Sequence, residues 1–358
     1  MRCQFSSISR PSGFGALIAL GACLVLHPTA ELRAESPQPS PEAVRVAIAK
    51  SLTLIEKSAA EYRRQRECFA CHHQALPVLT LKELREHGFL FDERDFRDQL
   101  KHTTEHLKRG RESYLKGRGQ GGKADTAGWA LWTLEAGGCQ PDETTAAVTE
   151  FLLQWQSDSD HWRAASQRPP TEASKFTTTY VALRGLSTFG TPEQSERVAE
   201  RTEKALQWLL SAEPQDNEDR VFRLRALNYL GADGDAIAAA ARELLDQQHK
   251  DGSWSQTSET EGDAYATGTA LAALHETGQL TAEDDAYHRG VAFLLHEQQQ
   301  DGSWKVTTRS KPIQIYFESG FPHGADQFIS IAATCWAVQA LLPACQAAET
   351  PATAAVKP

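Results

Sequence analysis

An eleven-residue segment occurs twice in this chain without a gap, fifty residues apart: Leu244-Leu-Asp-Gln-Gln-His-Lys-Asp-Gly-Ser-Trp254 and Leu294-Leu-His-Glu-Gln-Gln-Gln-Asp-Gly-Ser-Trp304. A fainter third copy runs from Leu152 to Trp162. There Gln156 matches Gln248 and Trp162 matches Trp254, while Asp160 replaces Gly252. Self-similarity at this period is the mark of stacked supersecondary units, each too small to bury its own apolar face.

Each unit reads as an amphipathic helix, a polar loop, and a second, more apolar helix. The second helices are expected at Ala75–His87, Thr126–Ala136, Thr177–Phe189, Val221–Leu230, Ala264–Thr277 and Phe328–Leu342. Gly88, Gly137, Gly190, Gly231 and Gly278 follow the first five, where a left-handed C-terminal cap belongs. Asp125, Asp219, Asp263 and Asp326 precede four of them, where an N-cap acid belongs. In the first helices one face is apolar, as at Val198, Ala205, Leu206, Leu209 and Leu210. The second helices are apolar nearly all round, which predicts burial on both sides. Six such hairpins predict an all-α fold, an (α/α)6 toroid: a double ring using residues 42–345 as one domain. Residues 35–41 and 346–358, rich in Pro, Ala and Thr, read as a disordered linker and tail.

The N-terminus carries Arg2 and Arg10 ahead of the apolar run Phe14–Leu26, followed by Pro28 and small residues. This predicts a signal peptide over 1–34 and an exported, periplasmic or secreted protein. The run is too short for a comfortable membrane span. Leu20-Gly-Ala-Cys23 is a weaker match to a lipoprotein box. Removing 1–34 takes out three Arg and one Glu, which moves the net charge from −10 to −12. An acidic chain offers phosphates no attractive field, so no nucleic-acid partner is expected. Five cysteines remain: Cys68, Cys71, Cys139, Cys335 and Cys345. They are too sparse for a disulfide scaffold.

The Gln-x3-Gly-Ser-Trp repeat resembles that of squalene-hopene cyclases, whose toroid is also found in protein prenyltransferases. Glu318-Ser-Gly-Phe-Pro-His-Gly-Ala-Asp-Gln-Phe328 is similar to a Gly-Phe-Pro segment near the cyclase C-terminus. The resemblance implies an α/α toroid of the terpene cyclase kind, with the repeat's Trp and Gln tying outer helices together. It also implies an Asp-x-Asp-Asp-Thr-Ala acid motif. Gly122-Lys-Ala-Asp-Thr-Ala127 stands there instead, with Ala124 at the proton-donor position and Asp125 the single acid left. Asp125 is thus a weak catalytic candidate against its reading as an N-cap, and polyene cyclisation is not expected. The stretch Gly117-x4-Gly-Lys123 mimics a phosphate loop but lacks the hydroxyl residue and the preceding strand.

Cys68-Phe-Ala-Cys71-His72 is the attachment pattern of c-type haem. Thiols three residues apart on a turn reach two vinyl groups, and the next imidazole falls under the iron. Three readings stay open: haem c, a Cys68–Cys71 disulfide, and a zinc site using His72 with other ligands. The segment precedes an inner helix, so it lies at one mouth of the ring. Ring closure makes repeat 6 its neighbour. There Trp304 and Asp326 are 22 positions apart, against 9 for Trp254 and Asp263. Long loops in compact domains are often functional, so this loop is expected to cover Cys68–His72, with His323 and Asp326 the nearest polar groups. Met1 is the one methionine, which excludes a His/Met haem and leaves the sixth position empty, water-filled or taken by His, with His323 the candidate. Trp129, Tyr180, Phe222, Tyr265, Phe328 and Trp336 are candidates to line a central cavity. The expected partners are therefore a redox protein or an apolar small molecule. A terpenoid-processing or isoprenoid-binding protein is the alternative.

Overall fold

The computed structural model describes residues 39–312 and 315–345. The expected signal peptide, the tail 346–358 and residues 35–38 of the linker lie outside the described residues. Six outer helices, α1 (Pro41–Gln65), α3 (Glu93–Leu115), α5 (Glu143–Gln154), α7 (Ser195–Ser211), α9 (Gly234–Leu245) and α11 (Asp285–Glu297), alternate with six inner ones. The inner helices are α2 (Leu76–Glu86), α4 (Ala124–Ala136), α6 (Lys175–Phe189), α8 (Asn217–Tyr229), α10 (Ala264–Glu276) and α12 (Gln327–Leu341). Each inner helix packs on the next, and α12 returns to α2, so the ring closes. This is the (α/α)6 toroid.

The inner helices are enclosed nearly all round: every residue of α10 from Ala264 to Leu274 is buried. The outer helices bury one stripe. On α7 that stripe is Arg201, Ala205, Trp208 and Leu209, and Leu210 points outward, one step off the expected face. Trp208 and the aliphatic stem of Arg201 share the buried stripe. Gly324–Cys345 is long and apolar enough to cross a membrane, but 78% of its most apolar window is buried inside the ring.

The repeat explains how outer helices are joined. Trp254 and Trp304 are fully buried, and their indole N–H groups donate to Leu244 and Leu294 C=O, at 2.8 and 2.7 Å. Gln248 reaches Ala286 C=O on α11, and Gln298 reaches Ala47 C=O and Ser51 Oγ on α1. The second set of bonds ties the last outer helix to the first. Gly252 and Gly302 have φ of +91°, and a Cβ at either would fall within 3 Å of the backbone of Arg289 or Lys50. Glycine is thus required both by left-handed backbone and by close approach. In the third copy Asp160 stands at that place, and Arg201 takes over the joint. Its guanidinium lies 4.0 Å from the Trp162 ring and donates to Gln156 and Ser159 C=O.

The caps differ in part from expectation. Asp263 caps α10 through the Ala266 N–H. Asp125 and Asp219 are the second and third residues of their helices, because Lys123 and Asp216 are the N-caps. Asp326 caps nothing by side chain, and its Oδ1 accepts from the Thr308 N–H instead. Gly88, Gly231 and Gly278 are left-handed, while Gly137 and Gly190 are not; Gly138 takes the left-handed turn after α4.

One end of the ring is filled by polar side chains, one from the C-terminal half of each inner helix: Glu83, Glu135, Arg184, Arg225, Glu276 and Gln339. Arg184 holds Glu135 at 2.6 and 3.0 Å, and Arg225 holds Glu276 at 2.9 Å. Gln339 donates to Thr80. The other end, where the inner helices begin, is open to a cavity.

Candidate functional site

Cys71–Ala75 forms one turn of π-helix ahead of α2. Its local cause is Pro77, which has no N–H to offer the preceding turn, so the ladder widens and the Leu76 N–H bonds back to Cys71 C=O. Such widened turns recur at functional sites. Gln74 ties the turn from inside, its Oε1 accepting from the Ala70 N–H at 2.9 Å. Cys68 is exposed and its Sγ lies 3.4 Å from the Tyr62 hydroxyl. Cys71 faces the cavity, where burial pushes its thiol far up.

The widened turn places the Nδ1 atoms of His72 and His73 in contact. His73 is completely buried, stacked on Tyr62 at 4.9 Å, and its Nε2 is enclosed without a partner. His72 sits in the cavity wall 5.1 Å from the Phe328 ring, with no protein partner for its Nε2. Burial holds His72 down to about 3 and His73 well below the ordinary imidazole range, so both are neutral. Of two neutral rings meeting at Nδ1, one donates and the other accepts. When His72 donates, its Nε2 presents a lone pair to the cavity, which is the form an imidazole needs to ligate a metal.

The cavity measures about 250 Å³. Leu76, Trp129, Phe328, Ile329 and Ala332 form its apolar side. Two loops roof it. The repeat-6 loop supplies Thr308, Ser310, Lys311, Pro312, Ile315 and Tyr316, as the spacing predicts. The second is the repeat-3 loop, Arg168 to Glu172, joined to the first where Ser310 Oγ donates to Pro169 C=O at 2.8 Å. Arg168 and Glu172 pair at 2.9 Å within this wall. Behind Thr171 lies a chain of hydroxyls: Thr171 to Tyr265 at 2.9 Å, and Tyr265 to the buried Glu218 at 3.0 Å. Burial without a cation partner raises Glu218 to about 8, and the nearby Asp216 carboxylate adds to the rise.

Of the residues singled out by sequence, Cys71 and His72 are brought together in the cavity wall, and Cys68 stands at the outer edge of the same turn. His323 and Asp326 are not part of that wall. His323, in left-handed backbone, points its Nε2 to Ser303 Oγ at 2.7 Å, and Asp326 is bound to Thr308. Asp125 is buried and bridges repeats: it accepts from Thr178 Oγ1 at 2.6 Å and the Ala165 N–H, and burial raises it to about 6. Among the described residues no three His, Cys, Asp or Glu side chains converge as a metal cage. Of the candidate aromatics, Trp129 and Phe328 line the cavity. Tyr180 and Phe222 pack on each other at 5.5 Å, and Trp336 lies under Arg225. Sequence reasoning missed the Arg168–Glu172 loop and Glu218. The available signal was the 12-position spacing from Trp162 to Ser174, with Pro169-Pro170 inside it.

No protein-family profile matches the chain, and no curated protein matches it. Among solved structures, the type II terpene cyclase MstE from Scytonema is similar with a TM-score of 0.55 and 15% identity, covering 86% of this chain and 99% of that one. The same cyclase in complex with geranylgeranyl dihydroxybenzoate gives 0.54 and 15%, covering 85% and 98%. A protein from Actinoplanes gives 0.55 and 16%, covering 84% and 99%. These likenesses show a terpene cyclase-like fold.

Proposed function

We propose that this toroid is an exported carrier of c-type haem, joined through Cys68 and Cys71 and ligated by His72. The observation that carries the reading is the pairing of a free His72 Nε2 with Cys71 in the wall of the open mouth. His72 would hold the iron and His73 would orient His72, as second-shell partners of metal ligands do. The wall of Leu76, Trp129 and Phe328 keeps water from that side. A bound haem supplies one-electron chemistry and a site for ligands. Lys311, in the cavity lining, would neutralise an acidic substituent. A redox protein is the partner this reading implies.

Standard cyclisation is disfavoured by the acid itself. Asp125 has no second carboxyl beside it in the motif and is held by Thr178 and Ala165. The apolar cavity does favour one second reading, an isoprenoid-like ligand held without haem. Export of the full chain in a host with haem-attachment machinery separates the two. A Soret band and a mass increment of one covalently bound haem are expected, and both should vanish in Cys68→Ser/Cys71→Ser. A colourless protein whose melting temperature rises with geranylgeranyl dihydroxybenzoate would sink the haem reading in favour of the second.

A further inference from the structure

Thr171 lines the cavity and links it to a buried carboxyl. Its Oγ1 lies 2.9 Å from the Tyr265 hydroxyl, and that hydroxyl lies 3.0 Å from Glu218 Oε2. Glu218 is 2% exposed, and Thr177 Oγ1 on α6 donates to its other oxygen at 3.0 Å. Tyr265 has one hydrogen to give, so the protonation of Glu218 sets the direction of the whole chain. When Glu218 is ionised, Tyr265 donates to it and Thr171 donates to Tyr265, and the cavity meets only lone pairs at Thr171. When Glu218 carries a proton on Oε2 the order reverses: Glu218 donates to Tyr265, Tyr265 to Thr171, and Thr171 into the cavity. Turning the Thr171 hydrogen into the cavity without that proton would leave two oxygens 2.9 Å apart with no hydrogen between them.

We infer that Thr171 is the polar anchor of a site for a small neutral carbonyl compound, and that Glu218, through Tyr265, switches this anchor between donor and acceptor. The inference rests on the cavity and its wall, not on the haem reading. Leu76, Trp129, Phe328, Ile329 and Ala332 suit the apolar body of such a ligand. The volume, about 250 Å³, is space for a compact ring, since an apolar cavity of roughly 150 Å³ holds benzene. Of the other polar groups in the lining, Arg168 is paired with Glu172, Ser310 donates to Pro169 C=O, and Tyr316 donates to Glu318. Lys311 is exposed, and the Thr308 hydroxyl is bonded to no titratable side chain. Asp216 and Asp219 on α8 are the charged groups that act on Glu218. Asp263 stands at the start of α10, Arg309 of the repeat-6 loop faces both Asp216 and Asp263, and Cys71 faces Tyr265. Burial, with Asp216 adding to it, pushes Glu218 up to about 8.

Cyclohexanone, which only accepts, and cyclohexanol, which accepts and donates, are the paired probes. Each is titrated calorimetrically into the full-length protein prepared without haem-attachment machinery. The ketone should bind at pH 6 and about tenfold more weakly at pH 9, because only chains with Glu218 protonated present a donor. The alcohol should change by less than about twofold, since its own hydroxyl donates to Thr171 when Glu218 is ionised. Glu218→Gln should make ketone binding independent of pH. Thr171→Val should hold it at the weak level at both pH values, and this loop substitution tests the anchor if the first variant does not fold. A ketone that does not bind at pH 6, or binds equally at both, overturns the inference. So does an equal drop for the alcohol, or a drop that survives Glu218→Gln or Thr171→Val. None of these results touches the haem reading, which stands or falls on its Soret band.

Discussion

At the end of the ring where the inner helices finish, each helix gives one polar side chain to a closed girdle, and nearly every charge there has a partner. Arg184 alone engages both Glu135 oxygens and the Tyr180 hydroxyl. At the end where the inner helices begin, polar groups are buried with bonds left over or without a charge partner: the His72 Nε2, the enclosed His73 Nε2, and Glu218, whose carboxyl is held by the Thr177 and Tyr265 hydroxyls alone. Polar groups in a low-dielectric interior are costly unless satisfied. The first arrangement answers that cost by pairing. The second keeps it, which is expected where binding or chemistry requires groups that the protein itself does not consume.

The largest expected effect tests the paired end. Arg225 is 3% exposed and holds Glu276 while facing the half-buried Glu83. Arg225→Met should lower the unfolding free energy by about 1–3 kcal/mol, because it removes the buried cation that faces Glu83 and holds the half-exposed Glu276. Arg168→Met at the open mouth should cost about 1 kcal/mol or less, since that pair is partly solvated. Denaturant titration of both variants measures the contrast, and equal losses would erase it.

The open mouth should also be the more alkali-sensitive end. Asp125 and Glu218, raised to about 6 and about 8, keep protons in the folded state that the unfolded chain releases nearer pH 4. Their contribution to stability is full below pH 4 and is lost as pH rises through about 6 and then about 8. Each group contributes a slope of up to ~1.4 kcal/mol per pH unit. Glu83, raised to about 7, adds a similar slope from the other end. Unfolding measured from pH 5 to 9 should therefore show falling stability, and Glu218→Gln should flatten the part nearest pH 8. A parallel curve in that variant would mean Glu218 is already ionised.

The smallest effect on stability should fall on His73. His73→Leu removes an enclosed, unpartnered nitrogen along with one hydrogen bond, so unfolding should move by less than ~1 kcal/mol. In haem-loaded protein the same change deprives His72 of its Nδ1 acceptor. The midpoint potential should then move positive by tens of millivolts, a tenfold shift in the redox equilibrium being about 59 mV for one electron. An unchanged potential would reduce His73 to a packing residue.

The ring was legible because its signals are local. The eleven-residue copies, the apolar inner helices and Asp263 before α10 each report their own backbone state. The boundaries of the inner helices fall within a few residues of expectation for that reason. Asp125 and Asp219 are not the caps because Lys123 and Asp216 hold that role two and three positions earlier, and an N-cap is decided by which residue leaves helical backbone. His323 was reasonable on loop length alone. Its left-handed backbone at φ +84° and the Ser303 hydroxyl turn the ring elsewhere.

The sequence by itself determined the helical repeat, the closure of six hairpins and the presence of Cys68-x-x-Cys71-His72 at one mouth, since periodicity and motif spacing are written in consecutive residues. Only the tertiary structure decided what faces that motif. Arg168 and Glu172 stand nearly a hundred positions from Cys71, and Glu218 nearly fifty from Tyr265. Distances that long in sequence become contacts only when the ring closes and two loops meet over its open end. One closed ring thus has a sealed end and an open one, a difference that no single repeat of the sequence contains.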